Sequence, residues 1–354
     1  MPDKYMLDSQ KLIYHTQRVA AWDKGDDICP IYMEVGLTNA CNHRCIFCAF
    51  DYLNYQSIYL DTSRLKVFLA KAASRGLKSI MLAGEGEPLL HKDIVEIVNF
   101  AKECGLDIAI TTNGVLLTKT ISELLIPKLS WIKFSLDAAT IETHTRIHNC
   151  NPGDYKKILA NIKAASVIKK TTGSKCAIGV QFLLLPDNEK EVISAAITSK
   201  VIGADYFVVK PFTKHPMGTA DFRNSVEFNN QKKIIEEFNR ISDTNFSAIY
   251  RENAMSKLGN DKDYAQCYGF RFWAYLAANG DLYACSAFLG DRDFSYGNIY
   301  DSSLDNIWDS EKRKEVINKM YRLDVNKCRE VCRLDEINRY LWEIKHPHEH
   351  VNFI

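Results

Sequence analysis

The sequence predicts an α/β fold: a parallel sheet curled into a partial (β/α)6, TIM-like barrel, followed by a smaller α+β extension. Three observations carry this. Six short runs rich in β-branched and aromatic residues alternate with amphipathic stretches between residues 31 and 210. The alternation stops near residue 215. Beyond it, Asn279-Gly280 between two half-buried runs is a strong hairpin signal, and helical sequence follows it.

The strand runs are IYMEVGL (31–37), SIMLAG (79–84), DIAITT (107–112), WIKFSLD (131–137), AIGVQFLLL (177–185) and DYFVVK (205–210), each bounded by Gly, Asn or Pro nearby. Between them, DTSRLKVFLAKAASRG and HKDIVEIVNFAKECG end on glycines of the kind that stop helices. In 153–170, Tyr155, Ile158, Leu159 and Ile162 mark one apolar face and lysines mark the opposite, solvated face. Right-handed crossovers between such units curl the sheet. Chemistry then belongs at the C-terminal ends of the strands. The chain divides into an N-terminal helical segment (1–29), the barrel (30–215), a connecting helical region (216–262), the extension (263–340) with its hairpin at 272–288, and a tail (341–354).

Composition narrows the function classes. The 354 residues are 46% hydrophobic and 25% charged, as in ordinary globular proteins. A net charge of +1 provides no basic field for a nucleic-acid backbone. No apolar run approaches the roughly 18 residues of a membrane span. The first residues, MPDKYMLDSQ, mix charges and lack the apolar core of a secretory signal, so a cytoplasmic location is expected. Eleven cysteines then read as metal or cluster ligands where they cluster, not as disulfides. Cys29, Cys104, Cys150 and Cys176 are scattered and read as small core or surface residues.

Cys41, Cys45 and Cys48 form C-x3-C-x2-C just after the first strand. A structural zinc site needs four ligands. His43 lies inside the loop with little freedom to turn inward. A four-iron cluster held by three thiolates leaves one iron open to bind something else. Polar segments end the next strands: GEGEP (84–88), TTNG (111–114) and SLDA (135–138). A second set, Cys267, Cys285, Cys328 and Cys332, would saturate a cluster and suit electron transfer; a structural zinc is the alternative.

C-x3-C-x2-C with Phe47 before its last cysteine, ahead of serial βα units, resembles the radical S-adenosylmethionine (SAM) enzymes over about residues 30–210. The resemblance implies a [4Fe–4S] cluster whose open iron is chelated by SAM, and cleavage of SAM to methionine and a 5′-deoxyadenosyl radical. GEGEP resembles the family's Gly-Gly-Glu-Pro segment, departing from it at Glu85. That match assigns Gly84, Gly86, Glu87 and Pro88 to the methionyl amino group. Ser135 and Asp137 match positions that hold the ribose, Thr111 and Asn113 face the same volume, and Gln181 is a further contact. The second cysteine set, with Gly280 in G-x4-C and GNIYDSSLDNIWDS (297–310), resembles the auxiliary-cluster extension called SPASM in its long form and twitch in its short form. The short form, with one auxiliary [4Fe–4S] cluster, is expected because the long form's further cysteines are absent.

By analogy with short-form relatives, the expected substrate is a small polyol, sugar or sugar-nucleotide, dehydrogenated with the auxiliary cluster as electron relay. The alternative is a radical SAM maturase of peptides or proteins. From another class come a non-catalytic iron–sulfur electron carrier and a zinc-stabilised binding protein. A reducing partner such as flavodoxin or ferredoxin is expected, with neither membrane nor nucleic acid. Lys210, at the end of the sixth strand, is placed at the barrel mouth on substrate. Arg251, Glu252 and Arg271 are further candidates, and the tail KHPHEHVNFI either packs on the barrel or plugs its mouth.

Overall fold

The computed structural model describes residues 5–7, 9–222 and 231–353; part of the connecting region expected at 216–262 and the ends of the N-terminal segment and tail lie outside them. A short helix α1 (Thr16–Asp23) precedes the barrel. The barrel strands are β1 (Tyr32–Val35), β2 (Ser79–Leu82), β3 (Asp107–Thr112), β4 (Trp131–Ser135), β5 (Ala177–Leu184) and β6 (Tyr206–Pro211), parallel and adjacent in chain order. The crossovers are α2 (Thr62–Ser74), α3 (Ile94–Glu103), α4 (Lys119–Leu125), the pair α5 (Ile141–His148) and α6 (Gly153–Thr172), and α7 (Val192–Val201). Capping starts several of them: the Asp61 carboxylate accepts from Arg64 N at 2.8 Å ahead of α2, and Thr118 and Thr140 cap α4 and α5.

The sheet is longer than six strands. After α8 (Gln231–Ile241), β7 (Ser247–Tyr250) pairs parallel with β6, in a region that reads from sequence as helix and loop. Only four residues long and half-exposed, it lacks a recognisable apolar run. Past α9 (Glu252–Ser256), the hairpin strands are β8 (Trp273–Leu276) and β9 (Asp281–Tyr283), with β10 (Ser295–Asn298) beside β9. The hairpin extends the barrel's own sheet, because β8 lies parallel to β1 with Tyr32 opposite Trp273 and Val35 opposite Leu276. The α+β extension continues through α10 (Leu304–Trp308), α11 (Glu311–Tyr321) and α12 (Asp335–Lys345).

Period-two alternation along the strands sorts their side chains. One face, including Ile80, Leu82, Ile108, Ile110, Ile132, Phe134, Ile178 and Phe182, is buried against the helices. The lumen face carries Met81, Ala83 and Ala109 in a small separate cluster with Tyr32 and Trp131, then Thr111, Lys133, Ser135 and Gln181 on a cavity. A polar lumen end is therefore written into the strands themselves.

The sheet does not close on itself: its edges are β7 and β10, and residues 328–336 reach from β1 to the far side of the barrel. At one side Arg333 pairs with buried Glu34 of β1. At the other, Arg329 Nη2 donates to Thr213 Oγ1 at 3.1 Å, and Lys257 pairs with Asp335 and Glu336. Helix α12 packs with α1 through Leu341, Trp22, Tyr268 and Phe272. The tail beyond it neither packs nor plugs: Val351 and Phe353 are 54% and 83% exposed. Among the described residues, no helix is long and apolar enough to cross a membrane.

Candidate active site

The loop after β1 carries the three clustered cysteines. Backbone bonds fix it to the end of α5: Arg44 N donates to His148 O at 3.0 Å and Ile46 N to Ile147 O at 2.9 Å. Arg44 also donates to the carbonyls of Cys41 (2.5 Å) and His43 (2.8 Å) and stacks 4.1 Å over the Tyr55 ring. Cys41, Cys45, Cys48 and Phe47 all line one cavity, which holds about 1550 Å³ of empty space and opens to solvent. Burial pushes the Cys41 thiol up to about 11, and raises Cys45 too. Buried thiols of this kind need a cationic centre to become thiolates.

Behind the loop sits a histidine stack that sequence reasoning missed. His144 and His148 stack at 4.3 Å between ring centres, and His43 meets both edge-on at 5.9 and 5.5 Å. His148 Nδ1 is 3.2 Å from Cys45 Sγ, and His43 Nε2 is 3.3 Å from Asp154 Oδ2. The i, i+4 spacing of His144 and His148 on α5 was the available signal.

The GEGEP loop faces the same cavity through Gly84, Gly86 and Glu87; Pro88 does not line it. Glu87 acts as a tie: Oε1 accepts from Thr112 Oγ1 (2.6 Å) and Leu89 N (3.1 Å), and Oε2 from Asn113 N (2.8 Å). Burial raises it to about 6 despite these donors. A side chain at Gly86 would put Cβ 2.3 Å from Thr38 O and 2.4 Å from Ala40 O. At Gly84, with φ +112°, it would sit 1.9 Å from Tyr275 Oη. Glu85 turns away from the cavity; its Oε1 accepts from Ala278 N at 2.6 Å, and its own N–H donates to Tyr275 Oη. The residue that departs from the family pattern thus joins this loop to the β8–β9 turn.

Thr111, Asn113, Ser135, Gln181 and Lys210 all line the cavity, as expected from their strand ends. Asp137 does not. It adopts φ +55°, and its Oδ1 accepts from Leu183 N at 2.5 Å while Oδ2 lies 3.4 Å from His148 Nε2. Its carboxyl is fully buried behind the wall and is pushed up to about 7, by burial first. Arg251 lines the cavity, whereas Glu252 and Arg271 do not; Arg271 pairs with Asp27 on the outside. Sequence reasoning also missed Glu34, Lys133, Arg329 and Arg333, which line the cavity from β1, β4 and the 328–336 crossing.

Cys267, Cys285, Cys328 and Cys332 line a second, smaller hollow. Cys332, Arg329 and Arg333 border both spaces, so the two share a wall. Three sulfurs already accept N–H donors: Asn338 Nδ2 to Cys267 (3.5 Å), Ala287 N to Cys285 (3.5 Å) and Leu334 N to Cys332 (3.4 Å). Tetrahedral sulfurs on one zinc ion lie about 3.8 Å apart. Among the described residues, the donor groups within 4.8 Å of one another include no three cysteines of either set.

Comparison with known proteins bears on both cysteine sets. A family model for the radical SAM superfamily matches residues 35–196, and one for an iron–sulfur cluster-binding domain, SPASM, matches 267–333. The GTP 3′,8-cyclase of Chlorobaculum tepidum is 38% identical over 118 residues, 33% of this chain, and the match spans only 36% of that protein's length. The AdoMet-dependent heme synthase of Methanosarcina barkeri is 25% identical over 80% of this chain and 82% of its own. The crystal structure of Streptococcus suis SuiB bound to precursor peptide SuiA superposes with a TM-score of 0.65 at 19% identity, covering 85% of this chain and 70% of that one. These findings exclude the non-catalytic carrier and the zinc-stabilised protein. They also overturn the small sugar or polyol expected as partner, since SuiB, similar along most of the chain, is seen with a peptide.

Proposed function

We propose that this member of the radical SAM superfamily, with its SPASM-type auxiliary iron–sulfur domain, oxidises a side chain of a peptide or protein. It binds SAM and two iron–sulfur clusters. When bound, SAM and its cluster supply a 5′-deoxyadenosyl radical that takes a hydrogen atom from an unactivated C–H bond. In our reading Cys41, Cys45 and Cys48 hold that cluster, and Cys267, Cys285, Cys328 and Cys332 hold the auxiliary one. The main chain of Gly84–Glu87 faces the methionyl group, and Ser135, Thr111 and Gln181 face the rest of SAM. Glu87 and Asn113 keep the two strand-end loops in register rather than touching it. Asp137 acts through His148 and the β5 backbone, outside the binding surface.

The observation that carries the reading is the shared wall. One cavity, open to solvent, runs from the three-cysteine loop to Cys332. The four-cysteine site directly beside that cavity would supply an electron acceptor; loss of a hydrogen atom from the substrate, then of one electron with a proton released to solvent, would amount to a net two-electron oxidation. All eleven cysteines are free, which suits a reducing, cytoplasmic setting. The test is anaerobic reconstitution with iron and sulfide, a chemical reductant and SAM, with 5′-deoxyadenosine measured against candidate peptides encoded beside the gene. Peptide-dependent formation with loss of two mass units from the peptide is expected. Formation driven by GTP or a porphyrin, and by no peptide, would overturn the reading.

A further inference from the structure

The lumen is unusually cationic for a buried space. Lys133, Lys210, Arg251, Arg329 and Arg333 all line the cavity, against two lining carboxylates, Glu34 and Glu87. Both acids are committed: Glu34 to Arg333, Glu87 to Thr112, Asn113 and Leu89. Arg329 and Arg333 border Cys332, so thiolates of the neighbouring site can balance them. Arg329 also holds Thr213. The two lysines have no such partner: among the described residues neither ammonium makes a hydrogen bond or ion pair, and Lys133 only lies 5.5 Å over the Trp131 ring.

Register explains why they meet the same space. Lys133 stands opposite Thr111 and Gly179, one inward step below Ser135 on β4. Lys210 stands opposite Leu183, further up the wall on β6. Both therefore point into the lumen, one from its depth and one from its side. Their charges are strained by burial and by each other. Burial, then Arg333 and Arg251, push Lys133 down to about 8, with Glu34 and Asp137 opposing; burial, then Lys133 and Arg329, push Lys210 well below its usual range, with Asp137 opposing. Desolvated ammonium groups without partners are costly. An arriving anion would relieve that cost, and the anion would be selected over its neutral isostere.

Resting on the peptide reading above, we propose that Lys133 and Lys210 are a substrate anchor that binds a carboxylate of the peptide, an Asp or Glu side chain close to the residue that is oxidised. Lys133 lies level with Thr111, at the floor of the surface assigned to SAM, and Lys210 stands above Gln181 on the side wall, so the pair fixes which C–H bond is presented. Lys210 thereby gains a definite role, and Lys133 joins it as a specificity residue.

The experiment is lysine footprinting of the reconstituted, SAM-saturated protein with sulfo-NHS-acetate, read by mass spectrometry of tryptic peptides. The probes are Ac-Ala-Glu-Ala-NH2, its Gln counterpart and inorganic pyrophosphate, each at millimolar concentration. The glutamyl probe should slow acetylation of Lys133 and Lys210 at least about threefold, as expected above its dissociation constant, with surface lysines unchanged and the Gln probe inert. Protection by SAM alone would assign the anchor to the methionyl carboxylate and overturn the proposal. Equal protection by the Gln probe, or none by the glutamyl probe, would also overturn it. If a peptide drives 5′-deoxyadenosine formation while the lysines stay unprotected, the anchor falls and the peptide reading stands. If pyrophosphate protects and the glutamyl probe does not, the peptide carboxylate falls as ligand, and a nucleotide takes its place. Lys133→Met and Lys210→Met, verified as folded by their cluster absorption, should each abolish the preference for the acidic peptide.

Discussion

Replacing Glu85 by Gln isolates the contact that joins the SAM-side loop to the extension. The carboxylate is 7% exposed and accepts one backbone N–H, from Ala278. Burial dominates, lifting it from 4.5 to about 7, with Asp281 adding to the rise and the Ala278 N–H opposing it. A carboxyl whose folded value is raised holds its proton longer in the native state than in the unfolded chain. Unfolding free energy therefore falls as pH rises from 4.5 to about 7, and stays at the lower level above that. At 1.36 kcal/mol per unit the full effect is about 3 kcal/mol. Gln is neutral and isosteric, and its Oε1 can still accept from Ala278, so its contribution is flat with pH. The assay is the difference in melting temperature between Glu85→Gln and the parent, from pH 5 to pH 8.5. All other titrating groups, including Glu87 and Asp137, cancel in that difference. The variant's advantage over the parent should be smallest near pH 5 and should grow to a few degrees at pH 8. A difference that is constant with pH, or that favours the parent at high pH, would refute the reasoning.

Other substitutions probe the remaining parts of the site. Gly86→Ala places a methyl against two backbone carbonyls that cannot step aside, and overpacking of this kind costs about 1–3 kcal/mol; equilibrium dialysis should show SAM affinity reduced about tenfold or more. Asn338→Asp keeps the acceptor that holds Tyr268 N (2.8 Å) and Gly269 N (2.7 Å) but removes the donor to Cys267. The auxiliary cluster's midpoint potential should move negative by tens of millivolts in a redox titration followed by EPR, while SAM cleavage persists. Cys332→Ala should lose the auxiliary iron and peptide oxidation but keep some SAM cleavage; Cys45→Ala should lose cleavage entirely, as measured by 5′-deoxyadenosine.

What the sequence disclosed was whatever local pattern encodes. The six barrel strands were visible because parallel strands buried on the helix side read as apolar runs, and the cysteines and GEGEP because spacing along one loop survives folding. Asp137 was misplaced because its φ of +55° turns it to the Leu183 amide, a reversal that no periodicity announces. Strand β7 escaped because three half-exposed residues and one buried tyrosine carry too little hydrophobic signal. Lys133 is not singled out by sequence, because a lone lysine within the strand run WIKFSLD carries no motif. Its burial in the lumen depends on closure of the sheet, which is a long-range property. Arg329 and Arg333 reach the cavity only because the segment that carries the last two cysteines crosses the barrel's open side, a tertiary fact with no local trace.

That crossing also explains why the two cysteine sets belong to one catalytic unit. An extension folded as a separate body would leave the lumen exposed between β1 and β7. Here β8 adds to β1 in register, and the segment from Cys328 to Glu336 spans to Thr213 and Lys257. The Arg333–Glu34 pair ties that segment to the first barrel strand at a carboxylate only 3% exposed. The Arg333 side chain is 39% exposed, so solvent screens the pair in part, but removing Arg333 would leave the buried Glu34 carboxylate without its cation. The same few residues therefore span the barrel's side, place Cys332 at its wall and add two arginines to its lumen. In the proposed reading, site closure and electron exit are built from this one segment.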